Sequence, residues 1–239
     1  MKLNRIALAV GALVLTGSAA AELSANIGAT SNYVWRGVTQ TDDGPAISGG
    51  VDYAHDSGFY AGIWASNVNF RDAVDSDGDP EDNGQAEVDL YAGFANELDM
   101  GLGYDVGVIY YGYPQADEET AGGGEDELDF TEIYATLSYG PVSGGVAYTV
   151  DTEAGGDDDH VYYHLGAGFD VAEGWSIGGT VGLYDFDGGS EYTHGQLDLS
   201  KDAGDFGEFT LSVSSVFDDD DADVDEDLLV FVSWGKTFD

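Results

Sequence analysis

Asp75, Asp77, Asp79, Glu81 and Asp82 crowd carboxylates into one short stretch, and hard oxygen ligands of that kind can wrap a calcium ion. An EF-hand loop, however, wants Gly at its sixth position and a bidentate Glu at its twelfth. Here Gly78 falls fourth and Pro80 sixth, between strand-like segments, so an EF-hand is excluded. Weak divalent-cation binding by the acidic loops stays open beside the reading as a solvated surface. His160 and His164 would share a strand face about 13 Å apart at ~3.3 Å per residue. One metal ion cannot bridge that gap with bonds of about 2 Å. His194 and Ser176 could meet on neighbouring strands, as in a twelve-stranded membrane lipase, but hydrolysis also needs a third, orienting group. No such motif accompanies them. The chain is read as no enzyme, with no cofactor and no catalytic or metal-binding residue.

The elements that position these residues alternate apolar and polar side chains with period two, the signature of half-buried strands. Twelve such segments fall at 23–36, 46–55, 59–68, 85–96, 101–112, 129–139, 144–151, 160–170, 175–185, 192–200, 207–217 and 228–238. Each approaches the roughly 9–11 residues of a tilted transmembrane strand. Short connections (56–58, 97–100, 140–143, 171–174, 201–206) alternate with mostly longer, acidic ones (37–45, 69–84, 113–128, 152–159, 186–191, 218–227). Outer-membrane barrels join their strands in this way. All four prolines lie in connections or at strand ends, where the missing N–H breaks no ladder. The expected fold is all-β: a transmembrane, antiparallel, up-and-down barrel of about 12 strands.

Parity assigns faces. Leu165 and Phe169 oppose His164 and Asp170, and Leu90 and Phe94 oppose Asp89 and Tyr91. The segment 59–68 fits either parity. Tyr33 and Trp35 are expected to face lipid, Trp35 in one aromatic girdle and Trp175 in the other. Arg36, of opposite parity, should then face the lumen near the outer end of the first strand. It would brace the barrel against carboxylates or set the charge at a constriction. The expected pore-lining set is Arg36, Asp52, Glu87, Asp89, Asp105, Glu132, Tyr134 and His164. Asp198 and Glu208 share the lumen parity, as do Tyr91, Tyr111, Tyr162 and Tyr184.

Composition agrees. Lys2 and Arg5 precede an apolar run and Ala19-Ala20-Ala21, the pattern of a secretory leader cleaved after Ala21. The organisation is thus a signal peptide over 1–21 and one barrel domain over 22–239. The run is too short for a spanning helix. Cys is absent, so no disulfide or thiolate chemistry is available. Once Lys2 and Arg5 leave with the leader, four cations face 47 acids, a formal net charge of −43. Nucleic acid is disfavoured as a partner. High-salt adaptation and a cation-attracting pore both account for this charge. The last strand, Leu228 to Phe238, almost ends the chain on an aromatic residue, which suits barrel closure and recognition by outer-membrane insertion machinery.

Ser31-Asn32-Tyr33-Val34-Trp35-Arg36-Gly37-Val38-Thr39-Gln40-Thr41, followed by Gly49-Gly50-Val51-Asp52-Tyr53 and Gly58-Phe59-Tyr60-Ala61-Gly62-Ile63-Trp64, resembles the opening of the TorF family of inferred porins. The same family also goes by the name Gcw conserved hypothetical proteins. The resemblance covers the mature chain and implies an outer-membrane barrel with no settled solute. The acidic insertions at 75–82 and 218–227 and the trailing Asp239 depart from it. The expected function is a bacterial outer-membrane porin for small cationic or neutral solutes, contacting outer-membrane lipid and lipopolysaccharide. The alternative is a closed barrel whose acidic outer loops bind cations, lipopolysaccharide or a partner.

Overall fold

The computed structural model describes residues 22–70, 85–114, 128–152, 159–220 and 224–239. The expected leader and the acidic stretch 75–82 lie outside them. Twelve strands form the wall: β1 (Glu22–Thr30), β4 (Ala46–Ala54), β5 (Phe59–Asn67), β6 (Ala86–Glu97), β7 (Leu102–Gly112), β8 (Phe130–Tyr139), β9 (Val142–Thr152), β10 (Val161–Ala172), β11 (Trp175–Asp185), β12 (Glu191–Asp202), β13 (Glu208–Asp220) and β14 (Leu229–Phe238). Two more, β2 (Val34–Trp35) and β3 (Val38–Thr39), form a separate hairpin. Every wall strand pairs antiparallel with its neighbour, and β1 with β14 closes the ring in the register Ala25↔Phe238 to Thr30↔Ser233. Closure leaves no unpaired edge, the condition for a sheet in hydrocarbon.

Leu23, Ile47, Leu165, Leu197 and Val232 stand exposed on the outer face. An exterior this apolar is a surface for lipid rather than water. Tyr139, Phe169, Trp175, Phe209 and Phe238 are exposed around the end that carries the short turns, as an interfacial girdle would be. In β5, Phe59 and Ile63 face outward while Tyr60 is 1% exposed, which resolves the parity of that strand.

Inside, rings rest on glycines. A side chain at Gly62 would strike the Tyr91 ring, one at Gly93 the Tyr60 ring, and one at Gly107 the Tyr134 hydroxyl. Each pair sits on adjacent strands, so the missing Cβ is what lets the ring lie against the wall.

Eleven of the expected strands fall within about three residues of those found. The first does not: it leaves the wall at Thr30 instead of continuing to 36. Residues 31–45 turn inward, and Arg36 (φ 48°) and Gly37 (φ 91°) make the two-residue turn joining β2 to β3. Both central residues have positive φ, the requirement of a type I′ hairpin. Tyr33 and Trp35 therefore point away from lipid, correcting the outward assignment of both and the girdle role of Trp35. Polar anchors at the root hold the course. Thr39 Oγ1 donates to Asn32 Oδ1 (2.7 Å), Asn32 Nδ2 to Asp43 Oδ1 (2.8 Å), and the Tyr33 amide to Thr41 Oγ1 (3.0 Å).

Candidate functional site

The tip of the inward hairpin carries Arg36 across the lumen to Glu132 on β8. Their contact is a two-pronged fork: Nη1 to Oε1 at 2.8 Å and Nη2 to Oε2 at 2.7 Å. Counting round the ring from β1, β8 is seven strands away in one direction and five in the other. The hairpin thus leaves one wall and grips the nearly opposite one. Glu132 is 1% exposed, so the pair is withdrawn from solvent. Burial works against the Arg36 charge, but Glu132 facing it prevails and holds the guanidinium above its ordinary value. Rings enclose the guanidinium as well: its carbon lies 4.2 Å from the Trp35 centroid, 4.1 Å from Tyr162 and 5.1 Å from Tyr184. A planar, weakly hydrated cation between aromatic faces is the arrangement Arg tolerates best in a dry site.

Two wall irregularities serve this contact. The β8–β9 register slips between Thr131 and Glu132, and the β12–β13 register between Thr193 and His194. Such slips re-aim side chains. The first lies at the Arg36 partner. The second lies at His194, against which Gly37 sits so closely that a Cβ there would come 2.6 Å from His194 Cβ. His194 Nε2 meets the Tyr162 hydroxyl at 2.9 Å.

On the β6 side, Glu87 accepts from the Tyr33 hydroxyl (2.7 Å) and the Tyr113 hydroxyl (2.8 Å). Burial first, and the Glu87 charge second, push both phenols well above their ordinary range, so they stay donors. Asp89, two residues on, is buried too. Asp52 takes hydrogen bonds from Tyr91 and from Asn26 Nδ2 (3.0 Å). Tyr60 donates to Asp105 (2.6 Å) and touches the Tyr134 hydroxyl. His164 stacks on Tyr162.

All eight residues expected in the lumen thus turn inward, by contacts with one another or with inward neighbours. Arg36 and Glu132 meet directly; Glu87 and Asp89 share one wall; Asp105 and Tyr134 are joined through Tyr60. His164 belongs to the aromatic cluster around Arg36. The same geometry separates His194 from Ser176. Their partners across the β11–β12 pairing are Gly182 and Ser200, so the two stand six positions apart along β11. That is about 20 Å, too far for a hydrogen bond. Sequence reasoning missed Tyr33, Trp35, Gly37 and Tyr113 as lumen residues. The sole signal for the hairpin was Arg36-Gly37, a weak turn dipeptide within a β-branched and aromatic run.

Toward the short-turn end the lumen changes character. Asn26, Thr136, Thr180, Asp198, Ser200 and Thr210 are half-exposed rather than buried. Asp198 accepts from Gln196 (2.9 Å) and Ser212 (2.7 Å). The arrangement is a polar, half-exposed vestibule below a tightly packed upper lumen.

The family model described as a bacterial protein of unknown function (Gcw_chp) matches residues 15–233. The Gcw side of the resemblance is thereby shown; the match says nothing of the TorF name. No curated protein matches the chain. Among solved structures, the KdgM porin is similar with a TM-score of 0.56 at 8% identity, covering 90% of this chain and 98% of that one. The KdgM porin in complex with disordered oligogalacturonate is similar with a TM-score of 0.54 at 6% identity, covering 91% and 98%. At these identities the likeness is one of fold.

Proposed function

This chain belongs to the Gcw_chp family, and we propose that it is a bacterial outer-membrane channel that passes small solutes through a constriction built by its own inward hairpin. The observation that carries this reading is the Arg36–Glu132 fork, which fixes a chain segment across the lumen above a half-exposed vestibule. A constriction of this kind limits size and imposes charge without closing the wall. The lipid-type exterior, the KdgM likeness and the TorF resemblance support the same reading.

The solutes proposed are cationic or neutral. Asp105, Asp198 and Glu208 are half-exposed on the vestibule side, with Asp52 buried beside Asn26, and carboxylates in a low-dielectric cavity raise the local concentration of cations. An acidic sugar chain such as the one in the KdgM complex would meet repulsion here. Outer-membrane lipid and lipopolysaccharide cover the exterior, and the insertion machinery would act on β14. A second reading, a closed barrel, is favoured by one observation: the rings of Trp35, Tyr162 and Tyr184 all pack on the Arg36 guanidinium.

Single-channel recording of refolded protein in a planar bilayer decides between them. Discrete steps with a cation-selective reversal potential under a salt gradient are expected. Folded protein without steps would establish the closed barrel. Steps whose selectivity survives joint Asp52→Asn, Asp105→Asn and Asp198→Asn exchange would remove the charge assignment.

A further inference from the structure

Nearly every carboxylate inside this barrel has a donor of its own. Glu132 has Arg36, Glu87 has Tyr33 and Tyr113, Asp52 has Tyr91 and Asn26, Asp105 has Tyr60, and Asp198 has Gln196 and Ser212. Asp89 differs. It is 3% exposed, and its Oδ1 is buried with no hydrogen-bond partner. Trp64 of β5 and Tyr111 of β7 stand directly across from it, and the Tyr33 ring closes edge-on over Trp64 with centroids 5.7 Å apart. None of these groups brings a positive charge. Glu87 lies on the same face of the same strand, so two buried carboxylates are neighbours.

Among the described residues Asp89 thus has no donor at Oδ1 and no counter-charge; a buried charged carboxylate of that kind is costly, and a second one beside it makes it more so. Either a proton or a bound cation must complete the pair. Its donors are all hard oxygens: Asp89 Oδ1, the remaining lone pairs of Glu87, and the phenol oxygens of Tyr33 and Tyr113. Divalent cages use six to eight oxygens with several carboxylates converging. Among the described residues, no group of three or more acidic or His side chains could hold a metal ion. A singly charged, weakly coordinated ion asks less of two carboxylates than a divalent one does.

We propose that Asp89 and Glu87 form a station for a monovalent metal cation on the β6 wall, beside the hairpin, with Asp89 Oδ1 as its first ligand. The inference rests on the channel reading above for its role in passage, since a station at the constriction would hold the ion between the vestibule and the outer mouth. Binding itself does not depend on conduction.

Crystals of the full barrel grown or soaked in rubidium chloride test it. Rubidium's anomalous signal is expected at bonding distance from Asp89 Oδ1 in the native protein, and it should be lost in Asp89→Asn and weakened in Glu87→Gln. Should Asp89→Asn fail to refold, the position of the native peak still decides. No peak at Asp89 at saturating rubidium, or an undiminished peak in Asp89→Asn, overturns the proposal and leaves a protonated acid there. A rubidium peak in a barrel that does not conduct would sink the channel while sustaining the station. Conduction without the peak would do the reverse.

Discussion

The outer half of the lumen and the half toward the short turns are enclosed by the same twelve strands, yet they are filled in opposite ways. Above, Arg36 lies among Trp35, Tyr162 and Tyr184 and is forked onto a carboxylate that solvent does not reach. Below, Thr136, Thr180, Ser200 and Thr210 offer short hydroxyls to a half-exposed space. The wall is uniform; the difference comes from one inserted hairpin and the large side chains that receive it. A barrel of this size lies between the small ones that side chains fill and the large ones that stay open, so a short insertion is enough to decide the bore.

The strongest way to break this contrast is to remove the insertion. Replacing residues 33–41 by a short Gly-Ser link should leave the β1–β14 closure intact and raise single-channel conductance severalfold. An unchanged conductance would place the narrowest point elsewhere. Next in size is Glu132→Ala, which strands a buried guanidinium. A loss of about 3–5 kcal/mol is expected in urea unfolding from micelles, as for other buried pairs deprived of one member. Replacing both partners together, Arg36→Met with Glu132→Leu, should restore most of that loss. A double variant as unstable as the single one would mean that the fork is not what holds the hairpin.

Gly37→Ala probes the seat of the tip. The residue has φ 91°, and a Cβ would meet His194, so a cost of about 1–3 kcal/mol is expected from the same unfolding curves. The smallest effect belongs to the vestibule. Ser200 and Thr210 share a 2.8 Å contact but remain half-exposed, and changing either to Ala should move stability by no more than about 0.5 kcal/mol. A vestibule substitution as damaging as Gly37→Ala would erase the distinction between the two halves.

Much of the wall was legible because a strand in a barrel wall repeats its rule at every second residue. Leu165 and Phe169 against His164, or Leu90 and Phe94 against Asp89, can be read without knowing any partner. The fate of residues 31–45 was not legible by that rule. Tyr33, Val34, Trp35, Val38 and Thr39 are as β-branched and aromatic as any wall strand, and Arg-Gly lacks the Asn or Asp that usually announces a type I′ turn. Parity placed Arg36 in the lumen for a reason that does not hold, since the segment around it is not part of the wall. The same rule placed Tyr33 and Trp35 in lipid, whereas the Tyr33 hydroxyl finds Glu87 and the Trp35 ring packs against Tyr111 and Tyr184.

By itself the sequence determined the number of wall strands, the faces of most of them and the acidity of the interior, because period and composition are local properties that each segment carries alone. The tertiary structure alone decided where the chain leaves the wall and which acids find partners. Arg36 and Glu132 are 96 residues apart, and Tyr33 and Glu87 are 54. Such pairs form only once the ring has closed and set the distance across it. The buried charge then selects the one carboxylate that the opposite wall brings within reach.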